Sequence, residues 1–195
     1  EKNFKSYAEL KEKMDRCKMD YKKSFELNPE RSNSVFRIAY AYGVLDEYDL
    51  QLSTYMKYLE NFGEDRVVYN NMALIYAYDL EDYDKAIEYY DLSINLARKR
   101  NQEYTLAIRN KAELLYREFN KPEEAMELLN LAIEVEPENP SNYKDRSDCY
   151  EYYDEWELAL ADSLLSIRPL DRCLGWPRER DYMLHLMWPY ISDIH

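Results

Sequence analysis

Glycine is scarce, with only 3 in 195 residues, and no Gly/Ser-rich or low-complexity stretch divides the chain. That scarcity excludes flexibly linked modules and leaves one continuous array as the expectation for residues 1–195. Cysteine is scarce as well. Cys17, Cys149 and Cys173 are odd in number and lack metal-ligand spacing, which excludes a disulfide framework and a zinc site. Idle or buried thiols suit a reducing compartment, so a cytoplasmic location is expected. No apolar run approaches membrane-spanning length, and no signal peptide is visible after Glu1. His185 and His195 are the only histidines, and neither lies near a serine or cysteine motif that suggests a nucleophile. Phosphate loops, zinc patterns and dinucleotide fingerprints are missing. A non-enzyme without cofactor or metal is the expectation.

What is plentiful is charge and tyrosine. Charged residues make up 33% of the chain, the formal net charge is −13, and there are 21 tyrosines. The acid is uneven: residues 101–170 hold 16 acidic and 7 basic residues, whereas residues 1–30 hold 7 acidic and 8 basic. An acidic surface repels phosphate, so nucleic acid and anionic membranes are poor partners. A protein with a basic contact surface suits it better.

Apolar residues recur at helical spacing throughout, and no β-type alternation stands out. The stretch from Asn120 to Pro137 is the clearest case. Asn120 is expected to cap a helix, Pro122 fits its first turn, and Glu123 and Glu124 suit its positive end. Ala125, Leu128, Leu129, Ala132, Ile133 and Val135 form its apolar stripe, and Pro137 and Pro140 mark the stop. Copies of this helix occur elsewhere, each after a partner helix. The small residues of the first helices are Ala39, Ala73, Ala112 and Ser147, in steps of 34, 39 and 35. Those of the second helices are Cys17, Gln51, Ala86, Ala125 and Ala159, in steps of 34, 35, 39 and 34. The long step falls at the same place in both series, as one insertion where the helix from Tyr83 runs on through Ala97-Arg98-Lys99-Arg100.

A repeat of a helical hairpin at this period resembles the tetratricopeptide repeat, in which a 34-residue unit carries an aromatic, a small residue and a tyrosine on its first helix. The resemblance covers residues 14–169 and is strongest from Tyr69 to Leu96; Gln51 replaces an alanine, and Lys111 and Arg146 replace a leucine. It implies an all-α, right-handed superhelical array of antiparallel hairpins with about ten to eleven helices. Small side chains let neighbouring helices approach, while aromatic ones such as Tyr42, Tyr55, Tyr76, Tyr90 and Tyr150 fill the core. The divisions are an N-terminal helix or partial repeat at 1–30, repeats at 31–64, 65–103, 104–138 and 139–170, and a capping helix at 171–195. Gly63 is the expected C-cap of a second helix. At the two ends, residues 3–28 form a lid, and Pro177 starts a helix to about Trp188 with Leu184, Met187 and Trp188 on one side.

The resemblance also implies a function, the binding of a peptide or helix of another protein in the concave groove. The residue after the packing aromatic of each first helix, and the residue four further on, turn away from the packed seam. In tetratricopeptide arrays that row faces the groove. Here it reads Phe36 and Tyr40, Asn70 and Leu74, Arg109 and Glu113, Lys144 and Asp148, with Tyr78, Tyr116 and Tyr152 a turn further on. Asn71 and Asn110 sit where chaperone-binding members carry their middle asparagine, but the flanking lysine pairs are missing, so a chaperone terminal carboxylate is not the expected ligand. The alternative function is self-association, as a homodimer through the C-terminal helix.

Overall fold

The structure is a computed structural model that describes residues 33–102 and 104–167, together with positions 12, 15, 16, 19 and 23. Eight α-helices and no strand occur among the described residues. They are α1 (Asn33–Gly43), α2 (Tyr48–Phe62), α3 (Arg66–Leu74), α4 (Tyr83–Lys99), α5 (Leu106–Arg117), α6 (Pro122–Val135), α7 (Pro140–Tyr152) and α8 (Trp156–Ser166). The five single described positions near the start are also helical. The rest of the expected lid, Cys17 and Cys173, and the helix expected from Pro177 to Trp188 lie outside the described residues.

Local chemistry sets the helix ends. Asp65, in extended backbone, accepts hydrogen bonds from the Val67 and Val68 amides at 2.7 and 3.2 Å and so caps α3. Asn139 accepts one from the Ser141 amide at 3.1 Å, with Pro140 occupying the first turn of α7. Gly63 closes α2 as expected: its φ of +82° is a conformation that side chains resist, and its amide bonds the Leu59 carbonyl at 2.8 Å. Asn120 departs from expectation. It does not cap α6, whose N-cap position is Lys121 without a side-chain cap; instead Asn120 takes a φ of +50°. The turn inside each hairpin needs one left-handed residue, and Asp46, Glu81, Asn120 and Asp154 supply it in steps of 35, 39 and 34. Asparagine and aspartate tolerate that conformation better than most side chains.

The chain divides into two compact units, residues 1–89 and 90–195, with the division inside α4. In the first unit α1 packs on α2, and α2 on α3. Ala39, Ala73 and Ala86 are fully buried, while Tyr55, Tyr76, Val68 and Met72 fill the core around them. Gln51, at a position the repeat reserves for alanine, is accommodated because Gly43 faces it. A Cβ on Gly43 would come within 3.0 Å of the Gln51 amide group. α3 runs directly into a π-helical turn, Ile75–Asp79, where the Leu80 amide bonds the Ile75 carbonyl at 3.0 Å.

In the second unit α5 packs on α6, α6 on α7, and α7 on α8. Ala112, Ala125, Ala132, Ser147 and Ala159 are buried at these crossings, with Leu129 and Tyr90 in the core. Asn142 is buried and donates to the carbonyls of Ala132 and Glu136 at 2.7 and 2.8 Å, satisfying the end of α6. Both charged replacements of leucine have found an aspartate. Lys111 bonds Asp91 at 2.6 Å, and Arg146 holds Asp162 with two nitrogens at 2.6 and 2.8 Å while donating to Asn130 at 2.7 Å. The Cys149 thiol is buried and pushed up to about 11 by that burial, so it is an unreactive packing group.

Candidate functional site

The row of residues expected to face a partner divides differently in the two units. In the first, Phe36 turns inward. Its ring lies 6.0 Å from that of Tyr55 and 6.1 Å from that of Tyr58, and Tyr58 continues the cluster to Phe62 at 5.0 Å. Asn71 donates to the Tyr55 hydroxyl at 3.3 Å, which ties it to the same cluster. Burial pushes the Tyr55 phenol up, and the Asn71 bond partly offsets this. Asn70 is fully buried and does not face a partner.

Tyr40 and Tyr78 are the members of the row that project in the first unit. They are 71% and 56% exposed, and Leu74 between them in sequence is half-buried. A tyrosine left in solvent keeps its large apolar ring unburied, and such rings tend to anchor partners. Tyr76 and Tyr78 both lie in the π turn. Tyr76 is in the core, stacked on Tyr89 at 5.3 Å with an 8° tilt and with the Lys85 ammonium 5.1 Å from its ring centre, whereas Tyr78 is exposed.

In the second unit the row is a set of internal ion pairs. Arg109 bonds Asp145 and donates to the Ser141 carbonyl at 3.3 Å. Glu113 pairs with Arg117 at 3.0 Å, and Lys144 pairs with Asp148 one turn along α7. Burial raises the Asp145 carboxyl above its ordinary range even though Arg109 pulls the other way, which means desolvation outweighs the ion pair. The bond to Asp148 raises the Lys144 ammonium. Arg109, Glu113, Tyr116 and Asp148 converge with Leu129 and Asp145 around a cavity of only ≈ 20 Å³, room for about one water molecule. Tyr116 is buried, with its phenol pushed up to about 12 by desolvation and its ring 5.2 Å from that of Tyr152. Asn110 is half-buried on α5. Asp145 was not in the sequence-derived row. Its spacing of 36 residues from Arg109 is close to one repeat, which is the signal that would have found it.

No group of His, Cys, Asp and Glu among the described residues is arranged to hold a metal ion, and no described helix is long and apolar enough to cross a membrane. His185 and His195 lie outside the described residues.

Residues 64–138 match the family model of the tetratricopeptide repeat. Among curated proteins no sequence matches the chain. Solved structures are similar in fold. The crystal structure of MamA aligns over 89% of this chain and 100% of its own, with a TM-score of 0.61 at 14% identity. Yeast Tom70 aligns over 95% of this chain and 37% of its own, with a TM-score of 0.66 at 22% identity. YrrB, described as "a TPR protein with an unusual peptide-binding site", aligns over 82% of this chain and 79% of its own, at 0.54 and 19%.

Proposed function

We propose, from the match of residues 64–138 to the tetratricopeptide-repeat model, that the chain is a non-catalytic scaffold that binds an extended segment or helix of another protein. The observation that carries this reading is the pair of projecting tyrosines, Tyr40 and Tyr78, which leave much of their ring area to solvent. Leu74 and Asn71 flank them and add apolar area and a directional amide. The polar row of the second unit (Arg109, Asn110, Glu113, Lys144 and Asp148) is a separate recognition face for charged groups. Its ion pairs are already satisfied internally, so it contributes selectivity and on-rate more than affinity. The acid excess of residues 101–170 supports a partner with a basic surface, and binding that weakens with salt follows from it. A cytoplasmic location fits the buried Cys149 thiol.

The test is capture of partners from native lysate on the intact chain, followed by affinity measurement. Tyr40→Ala with Tyr78→Ala is expected to weaken binding at least about tenfold, since anchoring aromatic residues often carry about 2 kcal/mol or more each. Circular dichroism should be unchanged, because both side chains project. Arg109→Ala is a poor substitute because it strands the half-buried Asp145 carboxylate. Affinity unchanged in the double tyrosine variant would remove the site.

A second reading, self-association through the C-terminal segment, is supported by the last described helix. Trp156 and Leu160, four residues apart on α8, are 59% and 51% exposed, and Ile167 just past its end is 47% exposed. Light scattering decides between the readings. A stable dimer lost on deleting residues 177–195 favours self-association, and a monomer favours the scaffold.

A further inference from the structure

The insertion in the hairpin of α3 and α4 builds a feature that the other described hairpins do not repeat. Its extra residues carry α4 on to Lys99, and the Arg100 amide still bonds the Leu96 carbonyl at 3.1 Å. Asn101 then adopts a φ of +50°, and the Gln102 amide folds back onto the Ala97 carbonyl at 3.0 Å. This is a left-handed closure of a helix end. The overhang walls a cavity of ≈ 310 Å³ within the second unit. Ile94 of α4, Ile108 of α5, and Leu131 and Val135 of α6 form its apolar lining, with Tyr104 at the side and Arg98 at the mouth.

Size and chemistry limit what can enter. The volume is at the low end of ligand pockets, about 300–1,000 Å³, and matches one large apolar side chain with its flanking backbone. Arg98 is the one charged residue of the lining, a cation on a protein of net charge −13. Arg98, Lys99 and Arg100 are consecutive and exposed, and no carboxylate among the described residues pairs with Arg98 or Lys99. Cations at a helix C-terminus complement its dipole, which accounts for their presence but not for the cavity beside them. An acidic ligand is repelled by most of this surface and attracted here, so the local charge selects both the place and the occupant.

We propose that this cavity is a second recognition site, distinct from the tyrosine face, and that it takes an acidic peptide segment. A leucine, isoleucine or phenylalanine of the segment enters between Ile94, Ile108, Leu131 and Val135, while a carboxylate one or two residues away meets the Arg98 guanidinium. Guanidinium suits this role because its planar fork holds a carboxylate with two parallel bonds.

The test uses the full chain with labelled isoleucine, leucine and valine methyls, observed by NMR during titration with three probes. These are acetyl-Leu-Glu-Glu-amide, acetyl-Leu-Lys-Lys-amide, and decanoate as an acyl-chain control. The acidic peptide is expected to shift the methyls of Ile94, Ile108, Leu131 and Val135 first, and the lysine peptide to leave them in place. Arg98→Glu is expected to weaken the acidic peptide at least about tenfold, as reversing a charge at an interface does. Because Arg98 is exposed, that variant should stay folded, with only the small loss in melting temperature that reversing a charge at a helix C-terminus brings. If it does not, Leu131→Trp, which fills the cavity, supplies the second reading and should also abolish the shifts. Absence of shifts at these four residues with the acidic peptide, equal shifts with the lysine peptide, or shifts with decanoate alone would each overturn the proposal. Loss of the tyrosine face by Tyr40→Ala with Tyr78→Ala should leave this titration unchanged, so the two sites fail or stand separately.

Discussion

Arg146→Ala is expected to destabilise the second unit by about 3–5 kcal/mol, the loss that follows when one partner of a buried ion pair is removed. Arg146 and Asp162 are 8% and 3% exposed, and the guanidinium grips both carboxylate oxygens while a third nitrogen reaches Asn130. Burial alone would lower the guanidinium's affinity for its proton, yet its value rises because Asp162 outweighs that cost. Without the arginine, Asp162 keeps a charge in a site closed to water, or must take up a proton to lose it. The double variant Arg146→Met with Asp162→Ala leaves no stranded charge and replaces the pair with apolar groups. It should recover most of the lost stability. Chemical denaturation of the three proteins measures this. A single variant no less stable than the double would mean that the pair is solvated.

The second large effect concerns the helix crossings. Ala86 and Ala125 have no exposed surface. A leucine at either position must displace the facing helix or take a strained rotamer, at a cost of roughly 1–3 kcal/mol or more. Ala86→Leu and Ala125→Leu should each lower the melting temperature. Glu124→Leu, one residue away on the exposed side, removes only a surface ion pair with Lys121 at 2.7 Å and should change stability by about 0.5 kcal/mol or less. Equal effects at the three positions would mean that the helices are phased differently.

The parts of this molecule that local chemistry determines could be read from its residues. The steps of the small residues located α1 to α8 and the insertion, because a crossing that admits only a small side chain leaves a periodic mark. Gly63 and Pro122 were legible for the same reason, since each is the residue its backbone position favours. The π turn left no such mark. Its five residues fit an α-helical stripe as well, so nothing in their pattern marks the wider turn. Asn120 shows a similar limit, because asparagine suits both a cap and a left-handed turn, and the turn prevailed. The outward row was the least legible. Its phase follows from helix geometry, but exposure depends on what neighbouring helices offer. Tyr55 and Tyr58 draw Phe36 inward, Tyr116 is covered, and Tyr40 and Tyr78 remain outside. The aspartates that pair with Arg109, Lys111 and Arg146 belong to other helices, so the charge balance of one helix does not reveal them.

The central claim, that a partner protein docks on the face carrying Tyr40 and Tyr78, is tested most directly by site-specific photo-crosslinking. Benzoylphenylalanine is close in shape to tyrosine and can be placed at position 40 or 78 without disturbing the core, and at Glu88 or Glu127 as exposed controls. After irradiation in native lysate, the account predicts one common crosslinked partner from positions 40 and 78 and none from 88 and 127. Crosslinks from 88 and 127 alone would contradict it.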